Sequence, residues 1–130
     1  FLTKIYVPML SLEYTNGYSY MKDIADGLNN LIENYQKEGE YWDNEKNDLA
    51  VYNEILTNRK NLLEELKKNT QKIDYSKMDK FKNNLISYID KCENNILISS
   101  KNANENKGYV SQSLLLSSIQ QYYVFVQSMK

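Results

Sequence analysis

From residue 18 to the end of the chain, apolar side chains return every three or four positions with few interruptions. That spacing lines them along one stripe of a 3.6-residue helix. Only four Gly and one Pro occur in 130 residues. An all-β fold would need a turn about every 8–12 residues, so the fold class reads as all-α.

Four helices follow from the stripes. Met21, Ile24, Leu28, Leu31 and Tyr35 define the first. Trp42 extends it if the helix runs that far, but Gly39, just after Lys37, is a candidate stop. Asp43 or Asn44 would then cap the second helix, whose stripe is Leu49, Tyr52, Leu56, Leu63 and Leu66, broadened by Ile55 and Leu62. Arg59 falls inside this stripe and is expected to snorkel out of it. Ser76 with Asp79 forms a capping-box-like start for the third helix, which carries Phe81, Leu85, Tyr88, Cys92 and Ile96, with Ile89 beside them. Residues 102–106 read as a loop and Gly108 as punctuation. The fourth helix carries Leu115, Ile119, Tyr122, Val126 and Met129, surrounded by Leu114, Leu116, Tyr123, Val124 and Phe125.

The links between stripes are short, about four to eight residues, and short links make neighbouring helices antiparallel. The expected architecture is an antiparallel up-down-up-down four-helix bundle, a single domain over residues 1–130. Residues 1–17 are apolar up to Leu12, with Pro8 restricting Val7 and Asn16-Gly17 signalling a turn. They read as the start of one long, kinked first helix; the alternative is a separate N-terminal segment packing on the bundle. The first residue is Phe1 rather than Met. The sequence is therefore expected to be a piece of a longer polypeptide, with room for an upstream signal peptide or membrane anchor.

No histidine is present. Ser-His-Asp and Cys-His nucleophile pairs, Glu-x-x-His di-iron sites and His-ligated zinc or haem are therefore unavailable within this chain. The one cysteine, Cys92, forms no internal disulfide and lies on an apolar stripe, where a thiol behaves as a small hydrophobe. Asp43, Glu45, Asn47 and Glu54 match a calcium-loop template, but its required glycine is Asp48 here. Acids at a helix start explain them equally well. Glu64-Glu65 fall on a Lys-rich face, and no phosphate-cradling Gly loop occurs. The expectation is a non-enzymatic protein with no cofactor and no metal.

Net charge is −1 and pI about 5.5, which argues against general nucleic-acid binding. The charge is unevenly spread, however. Residues 13–54 hold ten acids and three bases, net −7; residues 59–82 hold eight bases and four acids, net +4. In an up-down bundle one end then carries Glu38, Glu40, Tyr41, Trp42, Asp43 and Glu45, with Tyr109 at the same end. The opposite end carries Lys67, Lys68, Lys72 and Lys77, beside both chain termini. Acids with aromatics suit a cation or anchor a protein partner; equally, Trp42 could staple the turn onto the core. Lysines at the other end suit an anionic membrane surface, or simply reflect propensity and solubility.

Between Lys107 and Lys130 the chain has no charge. That stretch is long enough to cross a membrane, but Gln112, Gln120, Gln121 and Gln127 with five serines oppose insertion. A buried bundle helix is expected, and oligomer contact or lipid contact are the alternatives.

In length, helix count and placement of its termini the chain resembles the helical-bundle sensor domains of bacterial transmembrane receptors. The resemblance is one of architecture and transfers no residues. It implies an extracytoplasmic binding or sensing domain, tethered near a membrane or held at the cell surface, that recognises a protein or small ligand at its acidic-aromatic tip. The alternative is a cytoplasmic helical adaptor or assembly protein that forms homo-oligomers through the fourth helix.

Overall fold

A computed structural model describes residues 20–44, 48–74 and 76–128, leaving out the side chains of Tyr20 and Met21. The expectations for residues 1–17, Met21, Glu45, Asn47 and Met129 lie outside the described residues. Among the described residues there are four α-helices: α1 (Tyr20–Asp43), α2 (Leu49–Gln71), α3 (Asp79–Asn104) and α4 (Gly108–Ser128). A 3-10 turn, Ser76–Met78, leads into α3, and no strand occurs among the described residues. The chain is all-α, as its periodicity predicts.

In α1 the expected Ile24, Leu28, Leu31 and Tyr35 are buried, and Ala25 and Ile32 widen the stripe. Gly39 does not stop this helix, which runs on through Trp42 to Asp43. A glycine inside a helix costs about 1 kcal/mol relative to alanine. The next turn outweighs that cost by packing Tyr41 and Trp42 against the core. Because α1 runs to Asp43 and α2 starts only at Leu49, neither Asp43 nor Asn44 caps α2. Asp48 does, with extended backbone and Oδ1 accepting from the Ala50 amide at 2.9 Å.

In α2 the buried positions are Tyr52, Leu56, Arg59, Leu63, Leu66, Asn69 and Thr70. Leu49, expected on the stripe, is 43 % exposed, since the first turn overhangs the core. Past the end of α2, Ile73 and Met78 are buried. The expected Ser76–Asp79 capping box does not form: Met78 occupies the cap position of α3 without any side-chain cap bond. Burial of Met78, rather than a polar cap, sets this start.

Helix α3 buries Leu85, Tyr88, Ile89, Cys92 and Ile96 as expected, and continues through the presumed loop to Asn104. It ends in a Schellman arrangement. Asn106 takes a left-handed φ of 58°, its amide bonds to the Ala103 carbonyl, and the Lys107 amide bonds to the Asn102 carbonyl. Asn tolerates that backbone, so Asn106 does the work expected of Gly108. Gly108 instead opens α4 and lies under Trp42: a Cβ there would meet the indole at 3.1 Å.

Contacts between consecutive helices pair rising with falling numbers. Gly27 meets Leu66, Asn34 meets Ile55, and Glu38 meets Tyr52. Lys82 reaches Ile73 and Lys67 reaches Asp90; Asn84 meets Ser128, Asn95 meets Ser118, and Ser99 meets Ser111. Helices α1 and α3 are tied directly: Tyr88 donates to the Tyr35 hydroxyl at 3.3 Å, and Tyr35 Oη lies 3.0 Å from Cys92 Sγ. The core is one continuous cluster that draws on every helix.

Candidate ligand groove at the acidic end

A groove of about 560 Å³ opens between the C-terminal half of α1 and the N-terminal half of α2. Asn34, Lys37, Glu40, Tyr41 and Asn44 line it from the first side, and Asp48, Val51, Glu54, Ile55 and Asn58 from the other. Three carboxylates face one ammonium group, so the groove carries net negative charge. On the far side of Tyr41 lies a recess of about 210 Å³ bounded by Trp42, Leu49, Tyr52, Ala103, Asn106 and Gly108. Tyr41 forms the wall between the two.

Three aromatic rings meet at that wall. Tyr41, Trp42 and Tyr52 form a triangle with centroids 5.0, 5.1 and 5.2 Å apart. Burial, then Asp48 and Glu38, raise the Tyr41 phenol above its ordinary pKa. Burial and the nearby Glu38 push Tyr52 up to about 12. Both rings stay neutral at physiological pH.

Behind the wall is a buried polar network. Glu38 is 1 % exposed and Arg59 4 %. Arg59 Nη1 lies 2.8 Å from Glu38 Oε1, an ion-pair contact too far off line for a hydrogen bond. Glu38 Oε2 accepts from Trp42 Nε1 at 2.9 Å and from Tyr52 Oη at 3.3 Å. Arg59 Nε donates to Asn34 Oδ1 at 2.6 Å, while Asn34 Nδ2 donates to the Ile55 carbonyl at 3.0 Å. The guanidinium also stacks over the Tyr35 ring, 4.5 Å from its centroid. Asn34 thus belongs to both the groove and the network.

Among the residues expected at the acidic tip, Glu40 and Asp43 are exposed, and Tyr41 and Trp42 are half-buried. Tyr109 is 81 % exposed. It follows Gly108, which touches Trp42, so α4 begins at this end. Two corrections stand out. Glu38 is no surface acid, because it faces inward to Arg59. Arg59 does not snorkel, because a carboxylate and an amide meet it inside. Sequence reasoning also missed Asn34 and Asn58 as lining residues. A usable signal existed for the ion pair: Glu38 falls three residues after Tyr35 on the α1 stripe, in register to meet an arginine on the α2 stripe.

Of the lysines expected at the opposite end, Lys68, Lys72 and Lys77 are exposed. Lys67 is half-buried and paired with Asp90 at 3.0 Å and Glu93 at 3.7 Å. Its hydrogen bond to Asp90, and then the charge of that same group, raise its pKa. Cys92 is buried, and burial pushes its thiol up. Among the described residues no three His, Cys, Asp or Glu side chains converge as a metal site would, and no helix is long and apolar enough to cross a membrane. No protein-family model, curated protein or solved structure matches the chain.

Proposed function

We propose that this chain is a non-enzymatic binding or sensing domain that captures a cationic small ligand, or a cationic side chain of a protein partner, in the groove between α1 and α2. The observation that carries this reading is the pairing of a concave, net-negative lining (Glu40, Asp48, Glu54) with an aromatic wall at Tyr41. Carboxylates attract a cation, and an aromatic face holds its desolvated side. The missing histidine and the buried thiol of Cys92 support binding over catalysis.

The falling-index contacts between consecutive helices support an up-down-up-down bundle, with the groove at one end and Lys68, Lys72 and Lys77 at the other. In the same proposal the domain is extracytoplasmic, and the lysine-bearing end stands near a membrane. Each lysine close to an anionic leaflet would contribute about 1 kcal/mol.

Spermidine and an arginine-rich peptide serve as probes of the groove, read by calorimetry and by emission from Trp42, the single tryptophan. Saturable binding that weakens with salt is expected. The triple variant Glu40→Gln, Asp48→Asn, Glu54→Gln should weaken it about 10-fold or more. Equal binding by the variant, or none by the native chain, removes the reading. Vesicle flotation checks the other end: the chain should float with anionic but not neutral vesicles, and Lys68→Glu, Lys72→Glu, Lys77→Glu should abolish it.

A further inference from the structure

A second groove, of about 230 Å³, lies between α3 and α4 and shares no lining residue with the α1–α2 groove. Its floor is Tyr88 and Phe125, two buried rings stacked 5.6 Å apart and 7° from parallel. Val124, 70 % exposed, is its apolar flank. One end is closed where Asn84 Nδ2 donates to Ser128 Oγ at 3.2 Å across the two helices. Two helical turns away stand Lys91 on α3 and Gln121 on α4. Among the described residues that line the groove, Lys91 alone is charged. Its neighbours one turn away on α3 are Ser87, Tyr88, Asn94 and Asn95, none of them acidic. No carboxylate among the described residues pairs with it. Gln121 is poorly satisfied as well. Its Oε1 is covered from water and meets no donor, and its Nε2 reaches only Ser117 Oγ, at 3.5 Å.

We infer that this groove binds a small aromatic monocarboxylate, with its carboxylate between Lys91 Nζ and Gln121 Nε2 and its ring along Val124, above Tyr88 and Phe125. Each part of the lining selects one part of the ligand. An unpaired ammonium with no acid in the lining calls for an anion and repels a cation. One ammonium balances one negative charge, so a dianion such as a phosphate monoester would keep a charge without a partner. Gln121, by turning into the groove, gives Nε2 a carboxylate oxygen and frees Oε1 to water, which relieves an orphaned acceptor. The apolar flank and the edges of the stacked pair suit an aromatic ring. The volume falls below the roughly 300 Å³ at which drug-sized pockets begin, which limits the ligand to a single ring with a short acid arm. This site and the α1–α2 groove take opposite charges, and neither depends on the other.

Titration of the whole chain with 3-phenylpropionate, followed by the backbone amide resonances, tests it. Saturable shifts at Lys91, Gln121, Val124 and Phe125 are expected, with Kd on the order of 0.1–1 mM for so small a ligand. The neutral amide, 3-phenylpropionamide, should bind about 10-fold or more weakly. Lys91→Gln should weaken the carboxylate by a similar factor and leave the thermal melt in place, since Lys91 is exposed. Lys91→Arg should keep most of the affinity, and Val124→Glu should remove it by setting a like charge beside the ligand. No saturable shift at about 10 mM ligand overturns the inference. So does equal binding of acid and amide, or binding indifferent to Lys91→Gln. Tighter binding of phenyl phosphate than of 3-phenylpropionate overturns the carboxylate assignment. Shifts confined to the α1–α2 groove would overturn the placement.

Discussion

Arg59 and Glu38 meet at 2.8 Å across α1 and α2 with both side chains almost wholly out of water. Neither charge can be solvated there, so each depends on the other and on the amide and aromatic groups around it. Among the described residues Arg59 Nη2 has no hydrogen-bond acceptor. The pair is thus costly to build and costlier to break.

A double-mutant cycle in urea exposes that asymmetry. Glu38→Leu alone, or Arg59→Met alone, should lower stability by about 3–5 kcal/mol, because each strands a buried charge or its hydrogen-bonding partners. Glu38→Leu with Arg59→Met should recover most of the loss. Additive losses would show that the two side chains act independently.

Gly39 and Gly108 should respond oppositely to alanine. A Cβ at Gly39 meets nothing within 4 Å, so helix propensity decides, and Gly39→Ala should raise stability by about 0.5–1 kcal/mol. A Cβ at Gly108 meets the Trp42 indole at 3.1 and 3.3 Å. Gly108→Ala should push the ring outward, redden its emission and lower the melting temperature. An unchanged emission maximum would mean the ring yields freely.

Alkaline pH should unfold the chain through its tyrosines. Tyr52 ionises near 12 in the fold and near 10 in an unfolded chain. The native state therefore favours the neutral phenol. The stability this gives is complete below about pH 10 and is lost as pH rises from there toward 12. Tyr35 and Tyr88, both held well above their usual value chiefly by burial, steepen the loss. Phenolate absorbance should lag behind that of free tyrosine and then rise together with loss of helical signal. Full titration at about pH 10 with the helices intact would contradict it.

Cys92 should react with a thiol reagent about a thousandfold or more slowly than an unfolded control. Its rate should climb with urea in step with global unfolding. The cause is double, since burial denies access and raises the thiol pKa. Fast labelling of the fully native chain would place the sulfur at the surface.

The four helices were legible because their stripes hold a three-and-four rhythm that no strand could use. Their ends were less so. A lone Gly39 looks like a stop, but local propensity is small beside the burial of Trp42, which depends on α2 and α4 being in place. Ser76 and Asp79 resemble a cap, yet the burial of Met78 took precedence. Asn106 rather than Gly108 turned the chain, because only the packed structure shows that Gly108 is needed for room beneath an indole. Arg59 stood out within its stripe, but its partner lay on another helix. The groove is a gap between two rods, and no residue pattern encodes how far they part.

Asn34 donates with one end of its amide and accepts with the other, and Arg59 stands immediately behind it. If α1 slid along α2 by a single turn, the guanidinium would leave both its carboxylate and its amide oxygen and be stranded in an oily interior. The two rods therefore share one notch, and the helix pair is pinned against creep in either direction.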